Sequence, residues 1–194
     1  MKFRATPLTG AFVVEIEPHA DTRGFFARTW CSREFTAQVL PPQMVQTSIS
    51  HNTHRGTVRG MHLQLPPSME GKLVSCLRGA IYDAVIDLRP DSPTYQRHFV
   101  IELTAAKHDA LYIPPLVAHG FQTLAQNTEV LYQMTDYFAG ELLAFGVRWN
   151  DPAFAIRWPI EDAPVLLPRD GAYPDFDAVE YERRLQTPHE TGVS

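Results

Sequence analysis

Residues 55–88 read RGTVRGMHLQLPPSMEGKLVSCLRGAIYDAVIDL, and this stretch decides the fold class. It holds three runs of strand-type residues, 57–64, 72–77 and 80–88, parted by Pro66-Pro67 and by Arg78-Gly79. Each run is apolar or alternating over strand length and is closed by turn residues, which argues strands. Arg78-Gly79 is expected to form a hairpin turn, and Asp91-Ser92-Pro93 another.

The same signal recurs outward from this stretch. Runs at 12–16, 24–30, 44–51, 97–103, 110–113, 119–124, 129–138 and 142–148 are short and bounded by turn residues. Val45, Thr47 and Ile49 place β-prone side chains at a period of two. Helical signal is confined to two places. Ser32 is placed to cap a helix over 33–39, and 175–185 forms a second with Asp175 or Asp177 near its start. The 16 prolines fall mostly at segment ends, as at Pro41-Pro42 and Pro114-Pro115, so stiff turns join short elements. About ten short strands in one chain predict an all-β, double-sheet barrel of the jelly-roll type. A few short peripheral helices and a small-molecule site at the barrel mouth complete that expectation.

Composition narrows the function. Lys and Arg number 17 against 22 Asp and Glu, a net charge of −5 with no basic run, which argues against a nucleic-acid partner. No apolar stretch approaches membrane-spanning length, and the first residues lack a secretory apolar segment, so neither a membrane partner nor secretion is expected. Cys31 and Cys76 make no disulfide framework and read as packed residues, in keeping with a reducing, cytoplasmic setting.

Candidate chemistry starts in the opening stretch. Regular strand geometry puts His62 and Gln64 on one face and Arg59 on the other. Gly60 is expected to host a bulge that turns Arg59 and His62 toward one pocket, whereas an unbroken ladder would leave Arg59 facing solvent. Lys72, His119 and Tyr132 also sit on strand-like segments among apolar neighbours. Singly, each also suits a structural role: an edge charge, a hydrogen-bonded strand histidine, a packed tyrosine. Asp83 and Asp87 share a strand face, which makes either a candidate partner for Lys72 or His119.

RGMHLQ, KLVSCLRG, YDAVIDLRPDSPTY, LYIPPLVAHGF, VLYQMTDYF and GVRWNDPAFAIRWP occur in this order. Over about 12–174 the chain thereby resembles the dTDP-4-dehydrorhamnose 3,5-epimerase family of cupin-fold nucleotide-sugar epimerases. The resemblance implies one cupin-like domain over 1–194. Within it, about 1–43 holds N-terminal strands and a short helix, 44–150 the jelly-roll core and 151–194 a C-terminal extension. The implied activity is epimerisation at C3, C5 or both of a nucleoside-diphosphate 4-keto-6-deoxyhexose. The 4-keto group acidifies the C–H bonds at C3 and C5. A base removes such a proton, cationic or hydrogen-bonding groups hold the enolate, and an acid returns a proton from the opposite face.

By the same resemblance, His62 is the base, Asp170 pairs with it and orients it, and Tyr132 is the acid. Lys72, Arg59 and His119 line the sugar and hold the enolate oxygen or the phosphates, and Gln46 and Ser48 contact substrate. Asp21-Thr22-Arg23-Gly24-Phe25-Phe26 matches the nucleotide-binding segment, with Arg23 on the diphosphate and Phe26 stacked on the base. A homodimer is implied in which early strands cross over, so that Arg23 and Phe26 serve the neighbouring subunit's pocket. The resemblance requires no redox cofactor and no metal. Metal-binding cupins carry an H-x-H pair, a later carboxylate and a distant histidine. Here the pair reads His62-Leu63-Gln64 and Lys72 stands near the carboxylate position, where a cation opposes a metal. Glu70 and His119 keep a metal-dependent cupin oxygenase or isomerase as an alternative. A 3,4-ketoisomerase of a nucleotide-linked 4-keto sugar is a second, and a non-catalytic sugar-nucleotide binder a third.

Three positions depart from the family pattern. Arg28 stands where a glutamate is usual, Ser48 where asparagine is frequent, and Leu167 where serine is common. The first reverses hydrogen-bond polarity, since a guanidinium only donates. Arg28 is therefore a candidate reader of a base other than thymine. Arg28→Glu is expected to change the ranking of dTDP, CDP and GDP sugars in kcat/KM, and an unchanged ranking removes Arg28 from base recognition.

Overall fold

Strand pairing divides the chain between two antiparallel sheets. The computed structural model describes residues 1–187 apart from Ala163; residues 188–194, the end of the anticipated C-terminal extension, lie outside the described residues. One sheet has six strands, in the order β1 (Lys2–Ala5), β2 (Phe12–Glu15), β10 (Ala110–Ile113), β7 (Lys72–Arg78), β12 (Thr128–Met134) and β5 (Gln46–Asn52). The other has five, in the order β13 (Ala144–Gly146), β6 (Val58–Gln64), β11 (Val117–Thr123), β8 (Ala80–Asp87) and β9 (His98–Thr104). A hairpin of β3 (His19–Asp21) and β4 (Gly24–Phe26) pairs only with itself among the described residues. This is the double-sheet β architecture expected from the strand spacing.

The period of two on each strand builds the core between the sheets. Val13, Val74, Cys76, Leu111 and Val130 of the six-stranded sheet meet Ile81, Val85, Leu103, Val117 and Phe121 of the five-stranded sheet. The same inward faces turn polar at one end. Lys72 stands two residues before Val74, Tyr132 two after Val130, His119 two before Phe121, and Asp83 between Ile81 and Val85. On the outer face of the five-stranded sheet, Met61, Leu63 and Leu65 pack under Phe154, Trp158 and Tyr181 of the C-terminal segment. β6 is thus covered on both faces, and that segment is held close enough to reach into the barrel mouth. A short helix, α1 (Ser32–Ala37), lays Phe35 on Val14, Leu73 and Tyr112 across part of the other outer face.

Several local expectations are corrected. Ser32 does not cap α1: the N-cap is Cys31, which offers no side-chain bond, and the Ser32 carbonyl instead accepts from Thr36 Oγ1. The second helix, α3 (Ala178–Gln186), starts at 178 rather than 175; of the two residues expected near its start Asp177 is the cap, its carboxylate accepting from the N–H groups of Val179 and Glu180. Arg78-Gly79 is not a hairpin turn, because β7 and β8 lie in different sheets; it is the corner where the chain changes sheet. Gly79 has φ +78°, and a Cβ there would meet Thr128 Oγ1 at 2.5 Å, so the corner demands glycine. β1, β3 and a four-residue helix, α2 (Pro168–Gly171), carried too little pattern to be foreseen. No helix among the described residues is long and apolar enough to cross a membrane.

The Asp91-Ser92-Pro93 turn does join two paired strands, β8 and β9, and Asp87 organises it. Its buried carboxylate accepts from the Arg89 guanidinium and backbone N–H and from Ser92 Oγ and Thr94 Oγ1. Burial pushes this carboxyl up, but those donors outweigh it and hold the group below the usual carboxylate range. Asp87→Ala strands Arg89 and two hydroxyls, so the urea midpoint is expected to fall by the equivalent of about 2–3 kcal/mol. Asp91→Ala in the same turn should stay within about 0.5 kcal/mol of the parent.

Candidate active site

The site begins with a break in the ladder between β6 and β11. His119 lies opposite His62 and Phe121 opposite Arg59, so Gly60 and Met61 together face the single residue Gly120. This is the bulge expected at Gly60. Gly60 has φ +114°, and a Cβ on it would meet Gly120 Cα at 2.5 Å and the His119 carbonyl at 2.6 Å. With the extra residue absorbed, Arg59 and His62 both line the barrel mouth. Arg59 Nε is fixed there by donating to Asn52 Oδ1 at 2.7 Å, and Asn52 donates in turn to the Thr128 carbonyl at 3.3 Å.

The mouth is a cavity of about 500 Å³. The five-stranded sheet supplies Arg59, His62 and His119; the six-stranded sheet supplies Ser48, Lys72 and Tyr132; the C-terminal segment supplies Leu167, Arg169 and Asp170. An adjoining cavity of about 230 Å³ shares His62, Lys72 and Tyr132 and adds Gln46, Gln64, Glu70 and Tyr173. His62 and Tyr132 therefore stand on facing sheets across one space.

Three basic side chains in this space each have a carboxylate. His62 Nε2 is 2.9 Å from Asp170 Oδ1, and the Gly60 N–H donates to Asp170 Oδ2 at 3.4 Å. Asp170 arrives on α2, where Leu167 fills the N-cap without offering a capping oxygen. Burial pushes the Asp170 carboxyl up, but the His62 hydrogen bond and charge, the Gly60 N–H and Arg169 together hold it below the usual range. His119 Nε2 is 2.6 Å from Asp83 Oδ1, and burial raises the Asp83 carboxyl despite the opposing pull of the imidazole. Asp83 is thus the partner of His119 rather than of Lys72. Lys72 Nζ lies 2.5 Å from Glu70 Oε1. Tyr132 packs edge-on to His119, ring centroids 5.6 Å apart. Burial raises its phenol well above the ordinary tyrosine value, with Asp83 adding to the shift and Arg59 opposing it.

That geometry suits proton transfer at carbon. A carboxylate-oriented imidazole stands on one wall, a phenol held neutral on the other, and cationic groups between them await a developing oxyanion. Among the described residues no three His, Cys, Asp or Glu side chains are grouped to hold a metal.

A family model described as dTDP-4-dehydrorhamnose 3,5-epimerase matches residues 5–178. The chain belongs to that family. It is 35% identical over 176 residues to the dTDP-4-dehydrorhamnose 3,5-epimerase of Sinorhizobium fredii, covering 91% of this chain and 90% of that one. Identity to the Pseudomonas aeruginosa enzyme of the same name is 38% over 170 residues, 86% of this chain and 92% of the other. The crystal structure of the Bacillus anthracis epimerase with TDP and pyrophosphate bound superposes with a TM-score of 0.85 at 36% identity, covering 90% of this chain and 99% of that chain. The chain is accordingly an isomerase of the epimerase class with a cupin-type jelly roll, and these relatives favour neither the ketoisomerase nor the metal-dependent alternative.

Eight of the expected site residues line the two cavities, Gln46, Ser48, Arg59, His62, Lys72, His119, Tyr132 and Asp170, and Leu167, one of the departures, lies among them. Arg23, Phe26 and Arg28 line neither. Arg23 is largely exposed and pairs with Asp21 at 2.6 Å. Phe26 and Arg28 border a separate hollow, where Arg28 is 2.7 Å from Glu34. Residues the sequence did not single out for this epimerase site are Glu70, Arg169 and Tyr173. Glu70 precedes β7, and its place before Lys72 left no strand periodicity to mark it. Tyr173 sits edge-on to His62, ring centroids 6.2 Å apart, in space vacated at Gly146. Nothing in the sequence pattern marked it.

Asp170→Asn keeps the shape but not the charge that orients His62, so proton abstraction is expected to slow by about a hundredfold or more. The folded Asp170 carboxyl is depressed, so its stabilising contribution is complete above the ordinary carboxylate value and is lost as pH falls through its lowered folded value. Acid unfolding of Asp170→Asn, followed by circular dichroism, should lack that component.

Proposed function

We propose that this epimerase acts on a nucleoside-diphosphate 4-keto-6-deoxyhexose, with His62 and Tyr132 on opposite faces of the ring. The observation that carries the reading is the pairing of His62 with Asp170 at 2.9 Å on one wall of a cavity whose facing wall holds Tyr132. His62 takes the proton from C3 or C5, and the electron pair moves onto the C4 oxygen as an enolate. Lys72, Arg59 and His119 stand on the cavity wall to hold that oxygen or the diphosphate. Tyr132 then gives its phenolic proton to the opposite face of the carbon, and solvent restores both side chains. Burial keeps the Tyr132 phenol protonated at neutral pH and makes its phenolate costly, which suits a donor that is quickly recharged.

The nucleotide side of the reading rests on the β3–β4 hairpin. Phe25 and Phe26 are exposed there, and the hairpin has no neighbouring strand in its own chain among the described residues. We infer a homodimer in which this hairpin brings Arg23 and Phe26 to the neighbouring subunit's cavity, with Gln46 and Ser48 on the sugar side. The whole chain acts as one cupin-like domain, and two free cysteines are in keeping with a cytoplasmic enzyme.

Incubation with nucleotide-linked 4-keto sugars in D₂O, read by NMR, tests the assignment. His62→Ala is expected to abolish deuterium entry at both C3 and C5, a loss of about 10²–10⁴ or more in rate. Tyr132→Phe should retain exchange while losing inversion, because the base can still remove and replace the same proton. Full epimerisation by Tyr132→Phe rules out the phenol as donor.

A further inference from the structure

Glu70 is a carboxylate inside the site that the proton-transfer scheme does not use. Its side chain is only 6% exposed, and the backbone on both sides of it is stapled in place. The Met69 N–H donates to Asp136 Oδ2 at 3.0 Å and the Gly71 N–H to Thr135 Oγ1 at 2.8 Å, while the Thr135 N–H returns to the Gly71 carbonyl at 2.9 Å. A Cβ on Gly71 would lie 3.1 Å from the Ile113 carbonyl, so the segment has little room to shift. Glu70 is thereby held facing the smaller cavity, beside Lys72, His62 and Tyr132.

Lys72 takes one oxygen of this carboxylate, Oε1. The other, Oε2, has no protein donor among the described residues. Glu70 lines the cavity, where a carboxylate oxygen can only accept, and the groups that donate most readily in a sugar are its hydroxyls. The ammonium beside it has further protons to give. The wall therefore offers a donor, Lys72 Nζ, and an acceptor, Glu70 Oε2, on the two halves of one ion pair. That is the complement of an α-hydroxy ketone, whose carbonyl oxygen accepts while its vicinal hydroxyl donates.

We propose that Glu70 and Lys72 together recognise the α-hydroxy-ketone edge of the sugar, Lys72 donating to the C4 carbonyl oxygen and Glu70 accepting from the C3 hydroxyl, which makes Glu70 a specificity-determining residue. The assignment rests on the epimerase reading above, which puts a 4-keto sugar between His62 and Tyr132. Of the two carbons flanking the carbonyl, C5 carries a methyl group in a 6-deoxyhexose and has nothing to donate. The C3 hydroxyl is the vicinal donor that remains. Sugars lacking it leave the Glu70 carboxylate desolvated with nothing to accept from, and the enzyme discriminates against them.

The test compares a nucleotide-linked 4-keto-6-deoxyhexose with its 3-deoxy analogue, reading deuterium exchange at C5, a position both retain. The parent enzyme should favour the 3-hydroxy sugar by about tenfold to a hundredfold in kcat/KM. Glu70→Ala should erase most of that preference, the ratio of kcat/KM for the two sugars falling toward one whatever the absolute rates. Equal handling of the two sugars by the parent enzyme, a comparison that needs no variant, overturns the assignment. So does a Glu70→Ala enzyme slowed alike on both, the result expected if Glu70 only props Lys72. Absence of exchange at both C3 and C5 of the 3-hydroxy sugar would instead overturn the epimerase reading; there, and where exchange is confined to C3, the calorimetric affinities of the two sugars decide the Glu70 assignment separately.

Discussion

The site depends on one close approach of backbones. β6 and β11 come together at Gly60 and Gly120 with no room for a Cβ on either residue. This contact absorbs one residue of β6, and everything before it changes face relative to everything after. Without it His62 would line the barrel mouth while Arg59 pointed away. The same contact sets His62 beside His119 and turns the Gly60 N–H toward Asp170. A single packing constraint thus aligns a cation, two imidazoles and the carboxylate that orients one of them.

Charge is then balanced locally. Asp170 answers His62, Asp83 answers His119 and Glu70 answers Lys72, each within hydrogen-bond distance. An unpaired charge at such depth would be costly, so each pair is held in its conformation before any ligand arrives. The three carboxylates come from different elements: the C-terminal α2, the inward face of β8 and the approach to β7. Tyr132 is the contrasting case, an acid kept neutral by burial among these charges. The cavity therefore presents fixed dipoles and charges to a ligand, which is the preorganised setting that enolate chemistry requires.

The β3–β4 hairpin, the proposed nucleotide end, is built differently. Where the main cavity is enclosed by two sheets and the C-terminal segment, the β3–β4 hairpin projects Phe25, Phe26 and Arg23 into solvent. Arg28 is engaged with Glu34 at the foot of that hairpin. Its guanidinium is thus already oriented, and any contact it makes with a nucleotide base competes with or builds on that ion pair. Leu167 adds an apolar, uncapped start to the helix that carries Asp170 and lines the cavity with Ser48, so two of the three departures from the family pattern stand on the cavity wall.

Much of this was legible in the chain itself. Alternation and turn residues located eleven of the strands, because a half-buried strand must repeat every two residues whatever surrounds it. The bulge at Gly60 was legible for a similar reason: glycine between two functional side chains marks a place where backbone must pass closely. Family motifs marked His62, Lys72, Tyr132 and Asp170. Beyond that, local pattern had no purchase. It read Arg78-Gly79 as a hairpin, since a corner between sheets and a turn within one use the same residues, and only long-range pairing separates them. It left Asp83 and Asp87 interchangeable, although one partners an imidazole and the other organises a turn. Tyr173 escaped it altogether, because an aromatic ring lying on a glycine 27 positions earlier leaves no periodicity behind. Sequence determined which segments are strands and which side chains share a face; tertiary structure decided which faces meet, because that depends on contacts between residues far apart in the chain.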